Sequence, residues 1–586
     1  MKNSKIIAST LTMLMIILLL TPLSHAFDDM ESRQEAFFNI GFTEIHITSE
    51  LDPFTADREH WHRGTMTVNS SVEEFSFENV DVNLRGRGNS TWWFGLEKRP
   101  LRFRFDEPRE MLDSGYAHRD WILLANHFDR SLLRNHTALF LGSLLDSMDF
   151  VPSSRMVHLY VNGIYMGVYQ LTDERDIGPG RAPLTLDSDP TISEFFLEFD
   201  GRVVDSPEDE GLYWVNIAGK PFDIRFPSGR LRSYAHAEYV QDFLTRVDTA
   251  IRHGNFNELL DLIDIPSFVD FYLVQEFMKN PDVGFSSVFM TIRGQGDLRR
   301  LYMGPLWDFD IAAGNYRAYW VWPAYGEYGY SPYGLTAATR NRWFRHLMRM
   351  PQFAELVTDR WSEIRHDQID FTIRHVEELA ARHAADFERN FERHQIMGTR
   401  VWEEPDNIVA MTSFSEQAAF LVNWLETRAS WLDIHFENIL DNLPFELATP
   451  SDATVLVNGE NISFEAYFIS GHNFFRLRDI AYVLNGTDSQ FSVEWDGYNN
   501  MIFLTRGEEY VPVGGEMRLG AGVELNAAAT TARIFLDFEE LRFSAFEING
   551  NNFIMLRDIM SALDISVIWD DSTNTIVIDT SLPYWE

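Results

Sequence analysis

The sequence predicts an α+β protein in two parts, a large mixed body followed by a small duplicated α/β domain. Three observations carry this. Residues 43–105 alternate apolar and polar side chains as strands do. Residues 235–280 read as helical, and residues 341–440 place Trp, Phe and Leu at amphipathic helical spacing. Beyond residue 453 one pattern of strand, Gly turn, strand, short helix and strand occurs twice. With 586 residues, 45% hydrophobic and 14% aromatic, the chain has the length for two or three domains and the apolar content for a sizeable core.

The elements follow in chain order. Lys2 and Lys5, the apolar run Ile6 to Leu20, and the small residues of Ser24-His25-Ala26 predict a secretion signal, residues 1–26, cleaved after Ala26. Residues 27–42 are expected to be a loose lead-in. The main domain is expected to span 43–442. Its strands include Glu44-Ile45-His46-Ile47, Asp81-Val82-Asn83-Leu84 and Leu101-Arg102-Phe103-Arg104-Phe105. Between the last two lies Arg85-Gly86-Arg87-Gly88-Asn89-Ser90-Thr91-Trp92, where glycines beside arginines suit a loop whose backbone approaches an anion. Asp120 to Asn126 is a predicted buried strand, Ser131 to Asp146 a helix, and Val157 to Tyr169 a hairpin around Asn162-Gly163. Phe195 to Asp200 is a strand with Glu198 and Asp200 on one face. Tyr316 to Gly334, aromatic and rich in Gly and Pro, is a candidate lid. Residues 443–452, with two prolines, are expected to be a linker, and 453–586 the duplicated domain.

Charge and composition exclude whole classes of partner. The formal net charge is −39, and loss of residues 1–26, which hold two lysines and no acid, leaves −41. Such a field repels nucleic acid and anionic lipid. It repels ATP as well, so a nucleotide pocket needs its own basic lining. The absence of cysteine excludes disulfides, thiolate metal sites and a lipoprotein anchor. A cysteine-free secreted chain of this size suits the exterior of a Gram-positive bacterium. Past the signal only Lys98, Lys220 and Lys279 supply lysine, the compact point charge suited to phosphate oxygens.

The most chemically suggestive stretch holds two aspartates 26 residues apart. Asp282 lies in Lys279-Asn280-Pro281-Asp282 and Asp308 in Trp307-Asp308-Phe309-Asp310, with a predicted hairpin between them. Aspartates at turns mostly bond nearby backbone N–H groups. Carboxylates set among large apolar residues, as Asp308 and Asp310 are, instead need a partner or a metal. One Asp near an acceptor hydroxyl and a second holding a cation on phosphates is the layout of phosphoryl transfer.

These motifs, taken in order, resemble the CotH kinase family. The matching pieces are Arg85 to Trp92, Lys98-Arg99-Pro100-Leu101-Arg102-Phe103, Asp120 to Asn126, Asp129-Arg130-Ser131-Leu132-Leu133-Arg134-Asn135, Asn162-Gly163 with Gly167-Val168-Tyr169, Asn280-Pro281-Asp282, and Trp307 to Asp310. The resemblance spans about residues 43–440 and implies an atypical protein-kinase-like fold with a largely helical C-terminal half. It implies transfer of phosphate from ATP, with Mg²⁺ or Mn²⁺, to Ser or Thr of surface or spore-coat proteins. Asp282 matches the catalytic residue that orients the acceptor hydroxyl, and Asp308 the metal ligand. Lys98 matches a lysine facing the phosphates, with Arg85, Arg87, Arg104 and Arg134 as secondary contacts. Asp173 stands where relatives carry Glu and is expected to position a basic group or a metal. Where relatives carry a second metal-binding Asn, this chain has Ser287, with Asp310 as the other substitute. The C-terminal repeats resemble the stalk module found at the N-terminus of certain copper amine oxidases, a candidate contact to wall or surface components.

Two other readings stay open at this level. One is a non-catalytic surface or wall-associated scaffold with a pseudokinase-like body. The other is a glycoside hydrolase with paired carboxylates and aromatic sugar platforms.

Overall fold

A computed structural model describes residues 30–585 apart from 51–57, 89, 94–95, 149, 176, 179, 253, 255, 318–329, 440–444, 470, 497–500, 521, 531, 542 and 571. The predicted signal, most of the candidate lid and the start of the predicted linker lie outside the described residues. No helix among the described residues is long and apolar enough to cross a membrane. The chain divides into two compact units. Residues 260–345 and 356–437 group with the chain up to residue 246, whereas 247–259 and 346–355 group with 438 onward.

The first unit begins with a correction. Residues 30–40, expected as a loose lead-in, form a helix. Its Phe37 ring packs 5.2 Å from that of His136 and 4.9 Å from that of His375. Burial of those rings outweighs the polar composition of the segment. There follow β1 (Thr43–Ser49), β2 (His62–Asn69), β3 (Phe77–Gly86), β4 (Leu101–Arg109), β5 (His118–Leu124), β6 (Ser154–Val161) and β7 (Ile164–Asp173). They close into a barrel in the order β1-β2-β3-β4-β5-β7-β6, with β1 and β6 parallel. Alternation decides which side chains face inward. Val82, Leu84, Leu101, Phe103 and Phe105 fill the core, while Arg85, Arg102 and Arg104 take the outer face.

The helix after β5 covers Arg134–Ser143, shorter than predicted. Its start is held off because Asp129 accepts bonds from the backbone of Ser131 (2.9 Å) and Arg134 (2.8 Å), and Leu132 turns to φ +59°.

A second sheet carries the chemistry. It is built from β8 (Phe195–Phe199), β9 (Trp214–Ile217), β10 (Lys220–Phe226), β11 (Val288–Arg293) and β12 (Arg300–Met303), in the order β12-β11-β8-β10-β9. The β11–β12 hairpin is the one the sequence predicts between Asp282 and Asp308. Helix Ile265–Phe277 leads to it, started by the Asp264 carboxylate on Ser267 N–H at 3.0 Å and by Pro266 in the first turn. The predicted C-terminal helical region appears as Pro351–Ile364, Asp370–Arg382, Ala384–Arg393 and Phe414–Ile439.

In the second unit the expected linker is in part a strand, which corrects the 443–452 boundary. β13 (Phe445–Pro450) pairs with β16 (Ala466–Ile469) and β20 (Leu525–Ala529), and Pro450 sits harmlessly at the strand's end. These three join β17 (His472–Arg476), β23 (Ala545–Ile548) and β24 (Asn551–Met555) in a closed barrel. The two copies interlock. β14 (Thr454–Val457) and β15 (Glu460–Asn461) of the first share a sheet with β25 (Ser566–Asp570) and β26 (Thr575–Asp579) of the second. In exchange, β18 (Phe491–Asp496) and β19 (Met501–Arg506) share one with β21 (Arg533–Leu536) and β22 (Glu539–Leu541). The exchanged pairs β14–β26 and β19–β21 are parallel, so neither copy completes its sheets alone.

Candidate active site

A cleft of about 540 Å³ opens in the first unit. Four carboxylates line it: Glu198, which pairs with Arg225, and the three acids Asp282, Asp308 and Asp310. Asp282 sits in the single 3-10 turn Pro281–Gly284, which the Asn280 side chain caps by accepting the Asp282 N–H at 3.1 Å. Asp308 and Asp310 follow β12, so the hairpin's geometry brings acids 26 residues apart into one space.

An asparagine network holds the second loop. Asn280 Nδ2 donates to the Asp308 carbonyl (3.3 Å), Asn135 Oδ1 accepts from Phe309 N (2.6 Å), and Asn315 Nδ2 donates to the Asp310 carbonyl (2.8 Å). Asn135 is braced in turn by Asn126 at 3.0 Å. Asp308 and Ser287 both adopt left-handed backbone, φ +67° and +60°. Non-glycine residues pay strain there, and such strain gathers at functional sites. Ser287 Oγ donates to Asp308 Oδ2 at 3.0 Å.

Within the cleft Asp282, Asp308 and Asp310 lie close enough to repel one another. Burial, then the neighbouring Asp308, pushes the Asp282 carboxyl up to about 7. Burial, then Asp308 and Asp282, pushes Asp310 well above the usual carboxylate range. Basic groups come from elsewhere on the wall: Arg87, Arg175, Arg202, Arg225 and Arg340. Arg87 and Arg175 lie 5.5 and 4.7 Å from the Trp307 ring centroid. Burial, then Arg175, lowers Arg87 to about 10, so this guanidinium is held beside another cation. Glu174 backs the pair, 3.7 Å from Arg175 and 3.3 Å from Arg102. Arg202 grips Asp200 at 2.7 Å, and Arg340 donates to the Pro281 carbonyl at 2.8 Å.

Of the residues that sequence reasoning nominated, Asp282, Asp308, Asp310, Ser287 and Arg87 line the cleft together. The others do not. Lys98 is fully buried and its ammonium donates to the Val168 carbonyl, with burial lowering it to about 7. Lys279 likewise donates to the carbonyl of Ser331 at 2.8 Å. Arg134 is buried against Asp129. Arg85 and Arg104 flank Trp61 on the barrel's outer face, each 4.7 Å from its ring centroid. Asp173 is wholly engaged by Arg181 (2.9 Å), the Tyr116 hydroxyl and Ser153 (2.7 Å), so the basic group it positions is Arg181. Sequence reasoning missed Glu174, Arg175, Arg202, Arg225 and Arg340. The one available signal was Glu174 itself, next to Asp173 at the end of a strand where neighbours point opposite ways.

Oxygen donors with excess negative charge suit a divalent cation of the Mg²⁺ or Mn²⁺ type. Asp308, Asp310 and Ser287 fit that role by chemistry. As they stand, no three His, Asp or Glu side chains among the described residues are gathered closely enough to hold an ion.

The raised Asp282 pKa gives a stability prediction. Between the unfolded value near 4 and the folded value near 7, the native state keeps a proton that the unfolded chain has released. Native stability is therefore lost as pH rises through that window. The unfolding midpoint is expected to fall from pH 5 to pH 8, and Mn²⁺ to oppose the fall. In Asp282→Asn the slope should flatten; an identical slope in both proteins would show that Asp282 is not the group responsible.

Among curated proteins none matches the chain. A family model described as CotH kinase protein matches residues 84–432, which is more than half of the chain and contains every residue lining the cleft. The chain belongs to that family.

Proposed function

We propose that the protein is a secreted atypical protein kinase that transfers the γ-phosphoryl group of ATP to Ser or Thr hydroxyls of surface or coat proteins. The observation that supports it is the meeting of Asp282 and Asp308, from separate loops, in one cleft with Arg87 and Arg175. In the transfer, the acceptor oxygen bonds the γ-phosphorus and the bond to the bridging β–γ oxygen breaks, releasing ADP. The hydroxyl proton passes to the Asp282 carboxylate, and a base with a pKa near 7 is well matched to that task at neutral pH. Arg87 and Arg175 would neutralise phosphate oxygens from a cleft wall where water is partly excluded. Asp308, with Asp310 and Ser287 beside it, would hold Mg²⁺ or Mn²⁺, which when bound screens the phosphate charge.

The N-terminal sequence supports secretion, and the lack of cysteine supports the surface of a Gram-positive bacterium. The interlocked C-terminal repeats, similar to the copper-amine-oxidase stalk module, would anchor the kinase to wall or surface components. A second reading has its own support. Ser287, standing where relatives carry a metal-binding Asn, is bonded to Asp308, which favours a pseudokinase-like binding protein.

The assay is transfer of label from γ-labelled ATP with Mn²⁺ to the chain itself and to added protein. Asp282→Ala is expected to cut the rate by about 10²–10⁴-fold. No transfer and no nucleotide binding by the unaltered protein would leave the binding-protein reading in its place.

A further inference from the structure

The outer face of the barrel carries a group of cations that the cleft does not use. Arg85 lies directly opposite Arg102 across β3 and β4, and Arg104 follows two residues on, so the three guanidiniums share one face. All three gather on Trp61, with Arg102 5.7 Å from its ring centroid and the other two at 4.7 Å. Asp120 takes Arg102 (2.9 Å) and the Nε of Arg104 (2.8 Å). Glu174 takes Arg102 on its way to the cleft. Nothing comparable serves Arg85. Its guanidinium makes no hydrogen bond or ion pair among the described residues, and its Nε is buried without an acceptor. Among the described residues Arg104 commits only its Nε to a hydrogen bond.

Arg85 is held by the Trp61 ring and attracted by Glu174 and Asp120, yet its guanidinium keeps its hydrogen-bond donors uncommitted among the described residues, beside the half-used fork of Arg104. Burial, then Arg102, already lowers Arg85 from its usual value. Planar forks of this kind recognise phosphate oxygens in pairs. A carboxylate is the lesser match: Asp120 already fills that role here. Arg85 stands near the end of β3, two residues before Arg87, which follows the strand and lines the cleft, so the group lies beside the transfer site.

We propose that Arg85 and Arg104, on either side of Trp61, form a second anion subsite for a phosphate monoester carried by the acceptor chain. The subsite would retain an acceptor segment through a Ser or Thr already phosphorylated while a neighbouring hydroxyl enters the cleft. This rests on the kinase reading, because the product of that reaction is the phosphate monoester required.

The test uses the full mature chain carrying Asp282→Ala, so that nothing turns over. Three probes are compared by fluorescence anisotropy or competition: a labelled phosphoserine peptide, the same peptide unphosphorylated, and inorganic phosphate. The phosphopeptide is expected to bind roughly tenfold or more tightly than either other probe. Arg85→Gln and Arg104→Gln, each added separately, should erase most of that preference, and should move nucleotide affinity less than phosphopeptide affinity. Two variants are used so that misfolding of one, read as a lowered unfolding midpoint, does not decide the matter. Equal binding of the two peptides, or unchanged preference in both variants, overturns the subsite. Inorganic phosphate binding as tightly as the phosphopeptide overturns the acceptor-chain assignment. Loss of phosphopeptide binding in the variants with no kinase activity in the unaltered protein would sink the transfer reaction while leaving the subsite intact.

Discussion

Asp308→Ala is expected to abolish metal-dependent nucleotide binding. The residue lies in a cleft with three other carboxylates, Glu198, Asp282 and Asp310, and its own position is over-determined: Ser287 holds the side chain and Asn280 and Asn135 hold the backbone around it. A carboxylate fixed this way, in strained backbone, is placed for something other than packing. Removing it should cost about a hundredfold or more in calorimetric affinity for ATP with Mn²⁺, the scale of losing a charged, preorganised ligand oxygen. Without the metal, the variant should bind nucleotide as the parent does. The companion effect separates electrostatics from damage. Asp308 is the principal charge raising Asp282 and Asp310, so its loss should lower both. The slope of stability against pH should then shrink in Asp308→Ala, as is expected in Asp282→Asn. Unchanged affinity with metal present would refute the assignment of Asp308.

How much of this was legible beforehand differs from residue to residue. Asp282 and Asp308 could be seen because a hairpin between two turn-like loops is a local pattern, and a hairpin returns its two ends to one place. Asp308 and Asp310 among Trp and Phe announced buried charge. The arginines were another matter. Arg87 was reachable as part of a glycine-rich loop, but Arg175, Arg202, Arg225 and Arg340 meet only when the barrel and the second sheet pack, and no spacing encodes that. Lys98 misled for a physical reason. A rare lysine within a motif suggests a phosphate contact, yet a backbone carbonyl with no hydrogen of its own to give is an equally good acceptor for an ammonium, and Val168 supplies it. In the second unit the duplication was visible, but not the exchange of strands. Two similar copies can pair within or between themselves, and the residues on β14 and β21 fit either choice.

Arg134→Met is expected to be the most destabilising of the substitutions considered, and its failure mode separates a structural arginine from a phosphate ligand. The side chain is wholly excluded from water, as is that of Asp129. Its guanidinium donates to Asp129, to Ser131 Oγ at 3.1 Å, and to the carbonyls of Ala312 (3.0 Å) and Ala313 (3.2 Å). Asp129 in turn collects the N–H groups that start helix Arg134–Ser143. One buried pair thus joins the barrel-side helix to the segment just beyond Asp308 and Asp310. Replacing both partners with apolar groups could be tolerated, but removing only the cation strands a buried carboxylate, which costs about 3–5 kcal/mol. The first unit's unfolding midpoint should fall accordingly, read by chemical denaturation. Asp129→Asn added to Arg134→Met should recover part of the loss, because the stranded charge is then gone. Were Arg134 instead a phosphate contact, the single variant would keep its stability and lose nucleotide affinity, and the double variant would recover nothing.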